Sequence, residues 1–106
     1  MTVEELDQRL QSGSPVTLID VREPEEWTLC HLSGARLEPL SSWNPVPEYL
    51  LNPNSVEGPM VVYCHHGMRS AEAVRRLQRA GCLQAVNLEG GIDAWARTID
   101  PHMATY

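Results

Sequence analysis

The sequence predicts an α/β domain built on a mostly parallel sheet with helices on both faces, and three observations carry that reading. Short apolar runs of β-favouring type, Val16-Thr17-Leu18-Ile19-Asp20, Met60-Val61-Val62-Tyr63 and Ala85-Val86-Asn87-Leu88, alternate along the chain with helical patterns. The stretches between the runs are long enough for the crossovers that parallel strands require. The 106 residues suffice for one core, so residues 1–106 are expected to form a single domain.

Each element has a local reason. Thr2-Val3-Glu4-Glu5 has capping-box spacing, with Thr2 as N-cap, and opens a helix to about Ser12 with Leu6 and Leu10 as its buried stripe. Gly13-Ser14-Pro15 breaks that helix before the strand at 16–20. Pro24, tolerated in a first helical turn, starts a short helix through Trp27. Residues 38–58 hold Pro39, Pro45, Pro47 and Pro53, with Pro59 just beyond, and predict loop with one irregular helix around 47–51. A strand at 60–63, a helix over 70–80 ended by Gly81, a strand over 85–88 and a helix over 91–97 complete the chain.

Composition excludes several function classes. The formal net charge of −6 argues against nucleic acid as a partner, because a phosphate-binding surface needs positive potential. No apolar stretch approaches the length of a membrane span, and the sequence opens on an acidic helix pattern, so neither membrane insertion nor a secretory signal is expected. Cys30, Cys64 and Cys82 are odd in number and lack a C-x-x-C pair, which points to a reducing compartment and a cytoplasmic protein. All eight basic residues are arginine, so lysine Schiff-base and P-loop chemistry are excluded. Four of the eight, Arg69, Arg75, Arg76 and Arg79, follow Cys64 in the loop and helix, which predicts a locally positive region in an acidic protein. The plainer reading of Arg75, Arg76 and Arg79 is the solvated face of an amphipathic helix.

The candidate site is Val61-Val62-Tyr63-Cys64-His65-His66-Gly67-Met68-Arg69-Ser70-Ala71. Cys64 falls where a strand ends and a helix is about to begin, so the backbone N–H groups of residues 65–70 have no ladder to join. Turned inward, they form an anion-binding cup around the sulfur. The helix dipole, Arg69 and the histidines add positive potential, and each favours thiolate, the nucleophilic form. A buried structural cysteine is the ordinary alternative, yet two histidines, a glycine and an arginine do not suit a core turn. Cys64, His65 and His66 could each bind zinc, but consecutive residues rarely converge on one tetrahedral ion, so no metal is expected.

This loop resembles the active-site loop of the rhodanese domain, the thiosulfate-type sulfurtransferase family. Leu18-Ile19-Asp20-Val21-Arg22-Glu23-Pro24-Glu25-Glu26-Trp27 resembles the family's first signature, His31-Leu32-Ser33-Gly34-Ala35 its second and Val86-Asn87-Leu88-Glu89-Gly90-Gly91-Ile92-Asp93-Ala94-Trp95 its last. The tail from Asp100-Pro101 to Tyr106 is similar to the ends of small bacterial members. The resemblance implies a rhodanese-like three-layer fold with a four- or five-stranded central sheet, because the family's usual edge strand ahead of the first helix has only Met1 in its place. It also supplies a short strand at 34–37 that propensity alone does not reveal.

The activity implied is transfer of a sulfane sulfur from thiosulfate or a persulfide donor to a thiophilic acceptor through a persulfide on Cys64. His65, His66, Gly67, Met68, Arg69 and Ser70 would bind substrate, and no cofactor would be required. Gly67 fits an unusual backbone conformation. Arg69 has two readings, fixing the loop by bonding to carbonyls or a carboxylate, or recognising the donor's sulfonate. His65 and His66 are candidate donors to substrate or loop residues without a role. Asp20, Arg22, His31, Cys82 and Trp95 are read as structural, and Cys30, where the family often has glycine, as a candidate relay thiol. Acceptors include a thiol, cyanide and a sulfur-carrier protein. Two alternatives remain: a non-enzymatic persulfide carrier or regulatory module, and a phosphatase or arsenate reductase on the same fold. The second needs one more residue between cysteine and arginine than the four, His65 to Met68, present here.

Overall fold

The computed structural model describes residues 1–106. In chain order it contains α1 (Val3–Ser12), β1 (Thr17–Asp20), α2 (Pro24–Leu29), β2 (Arg36–Leu37), three 3-10 turns (Leu40–Ser42, Glu48–Leu51, Pro53–Ser55), β3 (Met60–Tyr63), α3 (Met68–Arg79), β4 (Ala85–Asn87) and α4 (Gly91–Thr98). The strands form one parallel sheet in the order β2-β1-β3-β4, with Ile19 opposite Arg36 on one side and Val62 on the other.

Both central strands are buried along their whole length, as the near-continuous apolar runs of a covered parallel sheet should be. The two-residue period of a strand then sorts their side chains between two layers. Ile19, Met60 and Val62 pack with Ala73, Val74 and Leu77 of α3 and with Trp43, Leu50 and Val56 from the proline-rich segment. Leu18, Val61 and Tyr63 face the other way, onto Val3 and Leu6 of α1 and Ile92 and Trp95 of α4. Cys64 continues the parity of Met60 and Val62 and belongs to the α3 side.

Local signals account for most boundaries. The Thr2 hydroxyl accepts the Glu5 N–H at 3.1 Å while the Glu5 carboxylate accepts the Thr2 N–H at 3.2 Å, the reciprocal pair that the spacing predicts. The stripe of α1 differs from expectation: Val3 and Leu6 are its buried residues and Leu10 is exposed, because only the first two turns meet the core. The third helix starts two residues earlier than expected, since Gly67 at φ 111° serves as its N-cap and places Met68 and Arg69 in the first turn.

The sheet has four strands. Beside β4, the Met1 amine donates to the Asn87 carbonyl and the Met1 carbonyl accepts the Glu89 N–H, both at 2.9 Å, the staggered pattern of a parallel neighbour reduced to one residue.

The topology points to one end of the sheet. From β1 the chain goes outward to β2, then returns past β1 to β3 on its other side. The loops after β1 and β3 therefore diverge, and the crevice at their carboxyl ends is where open α/β sheets bind ligands. Cys64 follows β3 directly, and Val21-Arg22 follow β1. No helix is long and apolar enough to cross a membrane.

Candidate functional site

Cys64 is 1% exposed, and its sulfur is surrounded by donors from the turn into α3. The sulfur accepts the Gly67 N–H at 3.1 Å, the Ser70 N–H at 3.4 Å and the Ser70 hydroxyl at 3.3 Å. Burial pushes the thiol up, but hydrogen bonds from the Ser70 hydroxyl, the Ser70 N–H and the Gly67 N–H, with the charge of Arg69, outweigh it and hold the thiol below its ordinary value. The donors stand at the amino end of α3, where the helix dipole also favours an anion.

Two neighbours hold this cup in shape. Asn87, at the end of β4, donates from Nδ2 to the Gly67 carbonyl at 3.1 Å and lies with Oδ1 2.6 Å from the Ser70 hydroxyl. A hydroxyl has one proton, so Ser70 serves either the sulfur or Asn87 at a given moment. From behind, the start of α4 donates to the loop: the Ile92 N–H to the Cys64 carbonyl at 2.9 Å, and the Asp93 N–H to the His65 carbonyl at 3.1 Å. That approach needs glycine at 91, where a Cβ would lie 2.5 Å from both carbonyl oxygens and φ is +62°.

Arg69 is paired with a carboxylate. Its two terminal nitrogens meet the Glu26 oxygens at 2.6 and 2.9 Å, which, with Tyr106 and the Glu23 N–H, holds the Glu26 carboxyl down to about 2. Glu26 comes from α2, the element after β1, so this pair joins the two diverging loops. Behind it lies a buried pair. Arg22 donates to both oxygens of Asp20, and both side chains are fully buried. Asp20 also accepts the Arg22 backbone N–H at 2.9 Å, and Arg22 reaches the Cys30 carbonyl at 2.6 Å.

The remaining sequence candidates fall outside the sulfur's hydrogen bonds. His65 is stacked on Tyr106, with centroids 3.9 Å apart and rings nearly parallel, and His66 meets its ring at a tilt with centroids 4.0 Å apart. Its Nε2 is buried without a hydrogen-bond partner, and burial followed by the neighbouring His66 pushes its pKa below the ordinary histidine value, which favours the neutral ring. His66 is largely exposed, 3.8 Å from Asp93. Met68 stands on the rim, 84% exposed. Arg75, Arg76 and Arg79 all lean on Glu72 at 3.4 to 3.6 Å, the solvated helix face rather than a positive wall around Cys64.

Of the residues read as structural, Trp95 and Cys82 are buried, while His31 lies exposed and stacked on Trp27 at 3.7 Å. Cys30 is half-buried against the α1 and α4 layer, the side of the sheet opposite to Cys64. No group of three or more His, Cys, Asp or Glu side chains is placed to hold a metal ion.

Sequence reasoning missed four residues of this arrangement: Glu26, Asn87, Gly91 and Tyr106. Glu26 carried a signal of another kind, since it also accepts the Glu23 N–H at 3.1 Å as a helix cap. Asn87 and Gly91 lie within the last motif, whose spacing does not reveal what they touch. Tyr106 lies in the tail that resembles the ends of small family members, a likeness that does not reveal its contacts.

Over 106 residues the chain is 42% identical to the probable adenylyltransferase/sulfurtransferase MoeZ of Mycobacterium tuberculosis, covering all of this chain and 26% of that protein. The chain thus spans about a quarter of the length of that relative, and 36% of the rhodanese-like/PpiC domain-containing protein 12 of Arabidopsis thaliana. Among solved structures, a rhodanese-like domain protein from Staphylococcus aureus superposes with a TM-score of 0.74 at 33% identity, covering 100% of this chain and 96% of that one. The human single-domain sulfurtransferase TSTD1 gives a TM-score of 0.74 at 26% identity, covering 92% and 95%. A Rhodopseudomonas palustris protein described as a possible tyrosine phosphatase gives 0.74 at 26% identity, covering 91% and 77%. The family model of the rhodanese-like domain matches residues 2–98, and the chain belongs to that family.

Proposed function

We propose that the chain is a sulfurtransferase in which Cys64 carries the sulfur as a persulfide. The observation that carries this reading is the Cys64 sulfur at the carboxyl end of β3, met by the Gly67 N–H, the Ser70 N–H and the Ser70 hydroxyl at 3.1 to 3.4 Å. Such donors stabilise thiolate in the resting state, and they are preorganised for the anionic persulfide that follows.

The steps balance without a cofactor. The Cys64 thiolate attacks the outer sulfur of thiosulfate, the sulfur–sulfur bond of the donor breaks, and sulfite leaves with the electron pair. An acceptor such as cyanide then attacks the terminal sulfur, thiocyanate departs, and the thiolate returns. A protein persulfide can replace thiosulfate in the first step, with a thiolate as leaving group. Exposed Met68 on the rim favours such a protein-delivered donor, or a sulfur-carrier protein as acceptor, because it offers an apolar contact beside the cup. The three free cysteines fit a reducing, cytoplasmic setting.

Intact-mass measurement after incubation with thiosulfate, then cyanide, tests the proposal. Gain of one sulfur by the natural protein, absent in Cys64→Ser and removed with release of thiocyanate, is the expected result. Hydrolysis of an aryl phosphate with no sulfur adduct from thiosulfate or a persulfide donor would overturn it in favour of a phosphatase.

A further inference from the structure

Tyr106 occupies a position that the sulfur-transfer reading leaves unused. Its ring lies on His65, with centroids 3.9 Å apart and planes 9° from parallel. Its hydroxyl donates to Glu26 Oε2 at 2.6 Å and accepts from Arg22 Nη1 at 2.8 Å. Glu26 in turn holds Arg69 by both oxygens, and Arg22 is anchored on Asp20. One side chain therefore bridges the buried Asp20–Arg22 pair and the Glu26–Arg69 pair while covering the residue next to Cys64. The surrounding segment has the shape for this, since Ala104, Thr105 and Tyr106 close against His65, Ile92, Asp93 and Ala96 with no room left for water.

We propose that Tyr106 is a positioning residue for the loop that carries Cys64, its ring fixing His65 and its hydroxyl fixing Glu26 and, through it, Arg69. The proposal rests on the sulfur-transfer reading above for the reaction it serves. The physical case is that His65 and Arg69 bracket the Gly67 N–H that meets the sulfur, so loosening both lets that donor drift. Misplacement of about 1 Å in a reacting arrangement can cost up to a hundredfold in rate.

Tyr106→Phe removes the hydroxyl and keeps the stack, whereas Tyr106→Ala removes both. Three readouts are needed in the full chain: the titration of His65 by NMR, the pH midpoint of Cys64 alkylation by iodoacetamide, and the rate of persulfide formation from thiosulfate. Exposing His65 in Tyr106→Ala should return its titration toward the ordinary histidine range, and Tyr106→Phe should restore the natural value. The alkylation midpoint should move to higher pH in both variants, and persulfide formation should slow about tenfold in Tyr106→Ala. A Tyr106→Ala protein of lowered melting temperature whose His65 titration and Cys64 alkylation match the natural protein would overturn the proposal, leaving Tyr106 a stabilising residue only. If Tyr106→Ala does not fold, Tyr106→Phe decides: an unmoved alkylation midpoint overturns the proposal and a raised one supports it. Should the natural protein take no sulfur from thiosulfate, the choice of donor fails separately, because His65 titration and Cys64 alkylation need no donor.

Discussion

Glu26 and Arg69 stand 43 residues apart in sequence and meet through two hydrogen bonds of 2.6 and 2.9 Å. Of the two roles that the sequence left open for Arg69, fixing the loop through a carboxylate is the one this contact serves. The pairing also means that the positive charge beside Cys64 is largely balanced, so under the proposed reaction attraction of an anionic donor would fall to the backbone N–H groups and the amino end of α3.

Glu26→Gln and Arg69→Ala should therefore each slow persulfide formation, and the double variant should be little worse than the poorer single one. A coupling of about 1 kcal/mol between them is expected in rate. The Arg69 side chain is 40% exposed, so the pair's share of folding stability should stay below about 1 kcal/mol. Faster reaction of Glu26→Gln with thiosulfate would instead show that Arg69 recognises the sulfonate once released.

Ser70→Ala deletes the hydroxyl donor to the sulfur and leaves the Ser70 N–H. The folded thiol lies below its ordinary value, so losing a donor to the thiolate raises its pKa and reduces the thiolate present at neutral pH. A hydrogen bond to a charged group is worth roughly 1.5–3 kcal/mol, which corresponds to a rise of about one pH unit or more in the alkylation midpoint. An unchanged midpoint would mean that the Ser70 hydroxyl donates to Asn87 Oδ1 throughout.

How much of this was legible in advance depended on distance along the chain. The apolar runs of β1 and β3 and the Thr2–Glu5 cap are written within a few residues, and both could be read directly. The Cys64 cup was legible because its donors, Gly67 and Ser70, lie within six positions. Glu26–Arg69 and Tyr106–Glu26 were not, because their contacts depend on which loops the sheet order brings together. The placement of His65 and His66 was not legible for a related reason: a loop sequence does not say which side chains point inward, and here one stacks under Tyr106 while the other faces solvent. The two-residue β2 carried too few residues for any period, and only the resemblance located it.

Gly91→Ala compares two costs of glycine in one protein. Gly34 has φ +83° with open space around its missing Cβ, so Gly34→Ala should cost about 1 kcal/mol of backbone strain. At Gly91 the same methyl group would meet the Cys64 and His65 carbonyl oxygens at 2.5 Å and force α4 and the loop apart. Urea unfolding should show a loss at least about 2 kcal/mol greater than for Gly34→Ala. Persulfide formation should fall only in the Gly91 variant. Equal losses at both sites would show that the loop yields freely at Cys64.

The Asp20–Arg22 pair sets the base on which Arg22, Tyr106 and Glu26 stand, and its two side chains are fully buried. Arg22 donates to Asp20, to the Cys30 carbonyl and to Tyr106, so its guanidinium has partners on every side. Asp20→Ala strips the countercharge and leaves a buried cation, a change that typically costs about 3–5 kcal/mol. Arg22→Met strands the carboxylate at a similar cost, whereas Asp20→Leu with Arg22→Met removes both charges at once. Because desolvation of an ion pair opposes its attraction, the double variant should recover much of the stability lost by either single one. It should not recover persulfide formation, since Tyr106 and Glu26 would lose the anchor that Arg22 supplies. Urea unfolding and intact-mass kinetics on the same three variants separate these effects. Recovery of both would show that the pair serves folding alone.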